Sequence, residues 1–275
     1  HNSLRWRSGV NLVVIAAALV AITVITNAYS FNLMLRNFRQ SLSSTALIYT
    51  EQISGKVDKI NSGSLELVSL AASSQNYYTS SPLGRYLTQQ DILTRLQDRI
   101  RYVESSDLYF FYRTDSDELL TALSNRASTG SSYFWNQYLM LPPTQPANTW
   151  FSVTCNGETW LMCYYNVSQV RVGAAVRAKT LLQSLYADTG LVQDSGFALA
   201  GLDGTIVYSS QPDLMACGTS LAGHIPASLI VESHTVPEVG TLLLFRPSSD
   251  LLHQLSGSFG WLLLLNLLAL ALITT

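Results

Sequence analysis

The sequence has 275 residues, 48 % of them hydrophobic, and 16 Lys and Arg against 18 Asp and Glu, a formal net charge of -2. With Arg5 and Arg7 set aside as flanks of an apolar segment, 14 basic residues face 18 acidic ones, and no basic stripe is left to attract nucleic acid. The three cysteines, Cys155, Cys163 and Cys217, form no disulfide framework and read as small apolar residues.

In chain order, Ser8 to Leu35 contains no Asp, Glu, Lys or Arg and exceeds the roughly 20 residues a helix needs to cross a bilayer. It reads as a transmembrane helix after a short cytoplasmic end, residues 1–7. Arg5 and Arg7 favour a cytoplasmic N-terminus, although Arg36 and Arg39 flank the other side. The alternative is a secretory signal peptide cleaved near Thr26-Asn27-Ala28. A second uncharged stretch runs from Gln254 to Thr275 around Trp261-Leu-Leu-Leu-Leu, so residues 251–275 are expected to hold a second, truncated membrane helix. The chain starts at His1 and stops inside this run, as a fragment would, and an output domain is expected beyond it. Between the helices, residues of about 36–250 form an extracytoplasmic region large enough for one large or two small compact units.

A stalk helix is predicted over 36–75. Leu42, Ala46, Tyr49, Ile53, Val57, Ile60, Ser64, Leu67 and Ala71 recur every three or four residues, giving one apolar face. Two uses of that face remain open: a coiled-coil seam between two copies, or packing against the chain's own domain. Asn76 to Gly84 reads as a turn region, and Thr88 with Asp91 as the start of a second helix carrying Ile92, Leu96, Ile100 and Val103 on one side.

The period then changes. Asp107 to Arg113 and Leu119 to Leu123 read as strands around the acidic turn Asp115 to Glu118. After a Ser- and Gly-rich loop, a short aromatic segment, Tyr133 to Leu141, is stopped by Pro142-Pro143. Strands at Thr149 to Cys155 and Thr159 to Val167 are joined by Asn156-Gly157, a strong hairpin signal, which places Cys155 and Cys163 on opposite faces. Val170 to Val176 is a further strand, and Lys179 to Tyr186 a short helix. Gly196 to Ala200, Thr205 to Ser209, Val231 to Val236 and Thr241 to Phe245 make a smaller set of strands. The fold class is α+β: a long N-terminal helix, then two PAS-like antiparallel-sheet modules at 76–187 (membrane-distal) and 188–250 (membrane-proximal), between two membrane helices.

This order of elements resembles the double Cache sensor region of bacterial membrane receptors, above all that of sensor histidine kinases of the YesM/LytS-like type. The resemblance is carried by D-L-Y-F-F-Y-R (107–113), N-G-E-T-W-L-M-C-Y-Y-N-V (156–167), V-R-V-G-A-A-V (170–176) with A-K-T-L-L-Q-S-L, L-D-G-T-I-V-Y-S-S (202–210) and T-L-L-L-F-R-P-S-S-D-L-L (241–252). It implies a ligand-sensing, signal-transducing region in the bacterial plasma membrane, acting as a homodimer on a small-molecule or peptide ligand. Chemoreceptors and membrane-anchored AraC-like regulators carry similar regions. Amino-acid-binding members pair an Arg with a closely following Trp-Tyr and a later Asp. Here Arg126 precedes Tyr133 and Trp135 at a longer spacing, so an amino-acid ligand is not implied.

No catalytic constellation is present: G-x-S-x-G, a phosphate-binding glycine loop, H-E-x-x-H and C-x-x-C are all missing. His224, His234 and His253 lack a metal-ligand spacing, and Asp115, Asp117 and Glu118 lack the oxygen run of a calcium loop. No cofactor is expected. The candidate ligand-binding residues are Arg113, Arg126, Tyr133, Trp135 and Tyr164, since aromatic walls with a few placed polar groups suit small molecules and Arg can hold a carboxylate by two parallel hydrogen bonds. A structural or interaction ectodomain with its aromatics packed shut is the reading from another class; an ectoenzyme is disfavoured.

Overall fold

The computed structural model describes residues 2–74, 81–102, 106–127, 129–187, 195–222, 225–249 and 260. The second apolar stretch lies outside the described residues apart from Gly260. Helix α1, Asn2–Ser74, is continuous over 73 residues. Among the described residues it is the helix long and apolar enough to cross a membrane, and its most apolar window is wholly unburied. Polar side chains in this part of α1 bond back to the helix itself: Thr23 Oγ1 donates to the Leu19 carbonyl at 2.8 Å and Asn27 Nδ2 to the Thr23 carbonyl at 2.9 Å.

The periodic face of α1 resolves the choice left open by the sequence. Every member, from Leu42 to Ala71, is buried within the subunit. The face therefore packs on its own chain and is not free to serve as a seam. Burying Ile53, Ile60 and Leu67 contributes about 1.5–3 kcal/mol each. Gly63 permits a close approach, since a Cβ there would meet the Tyr109 hydroxyl at 2.5 Å. The Tyr109 hydroxyl donates to the Ile60 carbonyl at 3.4 Å, and Lys56 Nζ donates to the Leu181 carbonyl at 2.9 Å.

Helix α2, Pro82–Tyr102, starts earlier than expected. Ser81 is its N-cap, with Oγ accepting from the Gly84 amide at 3.0 Å, and Pro82 occupies the first position, where a missing N–H costs nothing. Thr88 is interior, its hydroxyl donating to the Gly84 carbonyl at 3.0 Å. Ile92 and Leu96 are buried, and Arg99 pairs with Glu66 of α1.

The first sheet is antiparallel in the order β2-β1-β5-β4-β3, built from β1 Leu108–Arg113, β2 Glu118–Leu123, β3 Phe151–Cys155, β4 Glu158–Val167 and β5 Val170–Arg177. Asn156 (φ 52°) and Gly157 (φ 77°) both adopt the positive φ that a tight two-residue hairpin requires. One face of the sheet receives α1 through Tyr109. The other is covered by α3, Thr129–Tyr138. After β5 come two short helices, α4 Ala178–Leu181 and α5 Gln183–Ala187, where one helix was expected.

Asp107 locks the start of β1 to the ends of β2 and β5. Its fully buried carboxylate accepts hydrogen bonds from Ser124 Oγ at 2.9 Å and from the Arg177 backbone amide, Nε and Nη2 at 3.0, 3.2 and 3.0 Å. Burial pushes the Asp107 carboxyl up, but the side-chain and backbone bonds from Arg177, with a further bond from Thr180, outweigh it and hold it below the ordinary carboxylate range.

The second sheet, in the order β7-β6-β9-β8, comprises β6 Gly196–Ala200, β7 Ile206–Ser209, β8 Leu229–Val236 and β9 Gly240–Pro247. Asp203 shapes the β6–β7 turn by accepting from the Thr205 amide at 3.0 Å and its hydroxyl at 2.9 Å. Thr205 itself bridges to Ser220 instead of extending β7. Gly240 (φ 146°) must be glycine, because a Cβ would collide with the Ala200 carbonyl.

By contacts the chain divides into two compact units. One comprises Thr45–Ile225 and Ser233–Leu244 and contains the whole first sheet. The other comprises His1–Ser44, Pro226–Glu232 and Phe245–Thr275; within it the Arg246 guanidinium lies 5.4 Å over the Phe38 ring and the Ser248 amide donates to the Ser228 carbonyl at 2.8 Å. All three cysteines are free, Cys155 and Cys163 buried and Cys217 exposed.

Candidate functional site

On the covered face of the first sheet, alternation aligns Phe110 and Tyr112 of β1, Trp160, Met162 and Tyr164 of β4, and Ala175 of β5. Trp135 of α3 inserts among them, its ring 5.2 Å from that of Trp160 in an edge-to-face arrangement. Beyond the end of α3, Leu141-Pro142-Pro143-Thr144 passes over the sheet. A cavity of about 90 Å³ lies beneath, bounded by Tyr138, Leu141, Pro142, Phe151, Met162, Tyr164 and Arg171.

Arg171 gives this cavity its chemistry. It sits in β5 opposite Tyr112 on one side and Asn166 on the other, and only 8 % of its surface is exposed. Nη1 donates to the carbonyls of Leu139 and Leu141, both at 3.1 Å. The guanidinium carbon stands 5.5 Å from the Tyr112 ring centre and 5.6 Å from that of Tyr164. Nε is buried without a partner. Among the described residues no carboxylate lines the cavity and Arg171 forms no ion pair.

A buried guanidinium carries a desolvation cost of several kcal/mol. Two charge-assisted hydrogen bonds and two aromatic faces offset part of it. Among the described residues the remaining donor capacity meets no protein anion. The Tyr164 hydroxyl donates to the Gln145 carbonyl, anchoring the chain just past the prolines. Burial pushes the Tyr164 phenol up, partly countered by the Arg171 charge, and burial likewise raises Tyr138. The hydrogen bond to the Asp117 carboxylate raises Tyr112. All three stay protonated near neutral pH, so the charge at the cavity is that of Arg171.

The five candidates from the sequence are not assembled in one place. Tyr164 lines the cavity and Trp135 packs in the core beside it. Tyr133 lies on the outer side of α3, 70 % exposed, with its hydroxyl accepting from Gln137 Nε2 at 2.8 Å. Arg113 is paired with Asp115 in the β1–β2 turn, its Nε 2.8 Å from Oδ1. Arg126 borders open grooves beside α1 and α2, and its carbonyl accepts from Arg177 Nη1 at 2.8 Å. In the acidic turn, Asp115 is engaged by Arg113 and Asp117 by the Tyr112 hydroxyl. Sequence reasoning missed Arg171. The available signal was a single Arg inside V-R-V-G-A-A-V with no acidic residue at its cross-strand positions.

No protein-family model matches the sequence, and no curated protein matches it. Solved structures of similar architecture include the ligand-binding domain of the Pseudomonas aeruginosa amino-acid chemoreceptor PctC in complex with GABA, 14 % identical over 76 % of this chain and 99 % of that one, with a TM-score of 0.45. The extracellular domain of vpHK1S-Z8, designated a histidine kinase, is 12 % identical over 82 % and 96 %, TM-score 0.46. The ligand-binding domain of the Campylobacter jejuni chemoreceptor Tlp3 with L-norvaline is 8 % identical over 79 % and 93 %, TM-score 0.49. At such identities none of them speaks to a ligand of this chain.

Proposed function

We propose that this chain is the ligand-sensing and transmembrane-signalling region of a bacterial membrane receptor, with the cavity around Arg171 as its binding site. The observation that carries the reading is a buried guanidinium with no protein counter-ion among the described residues, lining a cavity roofed by α3 and the proline segment. A structural ectodomain has no reason to keep an uncompensated charge in its core, because an apolar replacement of similar size is as stable or more so.

In this reading the apolar part of α1 anchors the chain in the plasma membrane, residues of about 36–250 face outward, and the modules span 76–187 and 188–250. Ligand engagement at the first sheet shifts the packing of β1 on α1 through Tyr109 and Ile60. The output is a histidine kinase acting as a homodimer, with a chemoreceptor or an AraC-like regulator as the other candidates. The contact of Arg246 with Phe38 is where the last strand meets the stalk helix.

The test is a thermal-shift screen of the purified full chain in detergent micelles against a library of small metabolites, acidic, basic and neutral. Saturable stabilisation by at least one compound, lost in Arg171→Met while that variant remains folded, is expected. A folded Arg171→Met that responds to the same compounds as the parent, or a parent that responds to none, overturns the reading.

A further inference from the structure

We infer that the ligand held at Arg171 is a small monocarboxylate without an amino group, a short-chain organic acid of about propionate size. The inference rests on the proposed sensing role of the cavity and narrows its chemistry.

The guanidinium has one nitrogen committed and an edge, Nε and Nη2, that meets no acceptor among the described residues. Nη1 is occupied by the carbonyls of Leu139 and Leu141, and the guanidinium carbon lies over the rings of Tyr112 and Tyr164. Among the described residues neither Nε nor Nη2 donates a hydrogen bond, and Nε is fully enclosed. Nε and Nη2 present two parallel N–H groups in one plane, the spacing that matches the two oxygens of a carboxylate. A carboxylate there also supplies the charge compensation that the protein withholds.

The rest of the ligand follows from what the cavity lacks. An α-amino acid brings an ammonium group, whose burial needs a carboxylate or several carbonyl acceptors. The lining holds no Asp or Glu, and the Leu139 and Leu141 carbonyls already accept from Arg171. A dicarboxylate needs a second cation, and the lining offers none beyond Arg171. Apart from the hydroxyls of Tyr138, Thr144 and Tyr164, what remains is apolar, and Leu141, Pro142, Phe151 and Met162 suit a short alkyl group. Size sets the length. If a cavity of about 150 Å³ takes benzene, about 90 Å³ holds roughly four non-hydrogen atoms, which admits acetate and, with slight opening of the proline segment, propionate.

The same guanidinium that meets the carboxylate also grips the end of α3 and the start of the proline segment through two carbonyls. Ligand binding and closure of the roof therefore share one side chain, which links occupancy to the position of α3.

The experiment is titration calorimetry of the full chain in detergent micelles with four probes of similar size: propionate, propan-1-ol, propylammonium and L-alanine. Propionate is expected to bind saturably, L-alanine at least tenfold more weakly, and the alcohol and the amine not at all. Arg171→Lys keeps a cation that can still bond the two carbonyls but removes the planar fork; it is expected to weaken propionate at least tenfold while the melting temperature stays within a few degrees. L-alanine binding as tightly as propionate, propylammonium binding at all, or propionate binding unchanged in a folded Arg171→Lys overturns the assignment. If the alcohol alone binds, the carboxylate is refuted while the sensing cavity stands; if no probe binds and the metabolite screen is also silent, both fall.

Discussion

Replacing Asp107 by Ala tests the lock that closes the larger module. Asp107 is fully buried and its two oxygens receive hydrogen bonds from Ser124 and Thr180 and three from Arg177, whose side chain is only 15 % exposed. Removing one partner of a buried ion pair leaves the other charge without compensation, at about 3–5 kcal/mol. For a chain of this size each kcal/mol lowers the melting temperature by roughly 2–4 °C, so Asp107→Ala should melt about 6–20 °C below the parent at pH 7. Circular dichroism of the detergent-solubilised full chain measures it. The pH dependence has a definite sign. Because the folded carboxyl titrates below its unfolded value of about 3.9, its contribution is complete above that value and is lost as pH falls through the folded one. The gap between parent and variant should therefore be constant from neutral pH down to the ordinary carboxylate range and shrink below it. A gap under 2 °C at pH 7, or one that widens on acidification, refutes the reasoning.

Two further substitutions probe the surfaces on which the site depends. Ile53→Asp places a charge at a position with no exposed surface on the packed face of α1, and more than about 4 kcal/mol of destabilisation is expected; near-ultraviolet circular dichroism of the full chain should lose its tertiary signal, and a variant that melts like the parent would show that the face is not core. Gly173→Ala puts a methyl against the Cys163 carbonyl and 2.8 Å from both Phe110 Cε1 and Tyr164 Cα, where overpacking costs about 1–3 kcal/mol. A lowered denaturant midpoint is expected; an unchanged one would mean that β5 has slack beside the cavity.

Much of the architecture could be read from the sequence because local signals and tertiary packing agree. The stripe from Leu42 to Ala71 keeps helical spacing along its whole length, and Asn156-Gly157 sits where both residues need positive φ. Spacing alone left the stripe's partner open, since a seam and an intramolecular face want the same period. Ser81-Pro82 was read as part of a turn, yet the same pair is a cap and first position of a helix, and only the Gly84 amide on Ser81 Oγ separates the two. The site was harder. Alternation in V-R-V-G-A-A-V places Arg171 on one face but does not say that α3 and the prolines will cover that face. Arg126, before α3, and Tyr133, within it, looked better placed because they belong to the stretch that covers the sheet, but Tyr133 lies on the exposed side of the helix and Arg126 borders open grooves.

The pairing of Trp135 with Trp160 gives the larger module an optical reporter of its own. Their rings are 5.2 Å apart at an interplanar angle of 69°, both are wholly shielded from solvent, and neither indole N–H has a hydrogen-bond partner. Electronic transitions on indoles this close couple, and the sign and strength of the coupling depend on the angle between the rings. One indole rides on α3 and the other on β4, so a movement of the roof relative to the sheet changes the near-ultraviolet spectrum of the unmodified chain, without a label and without a mutation.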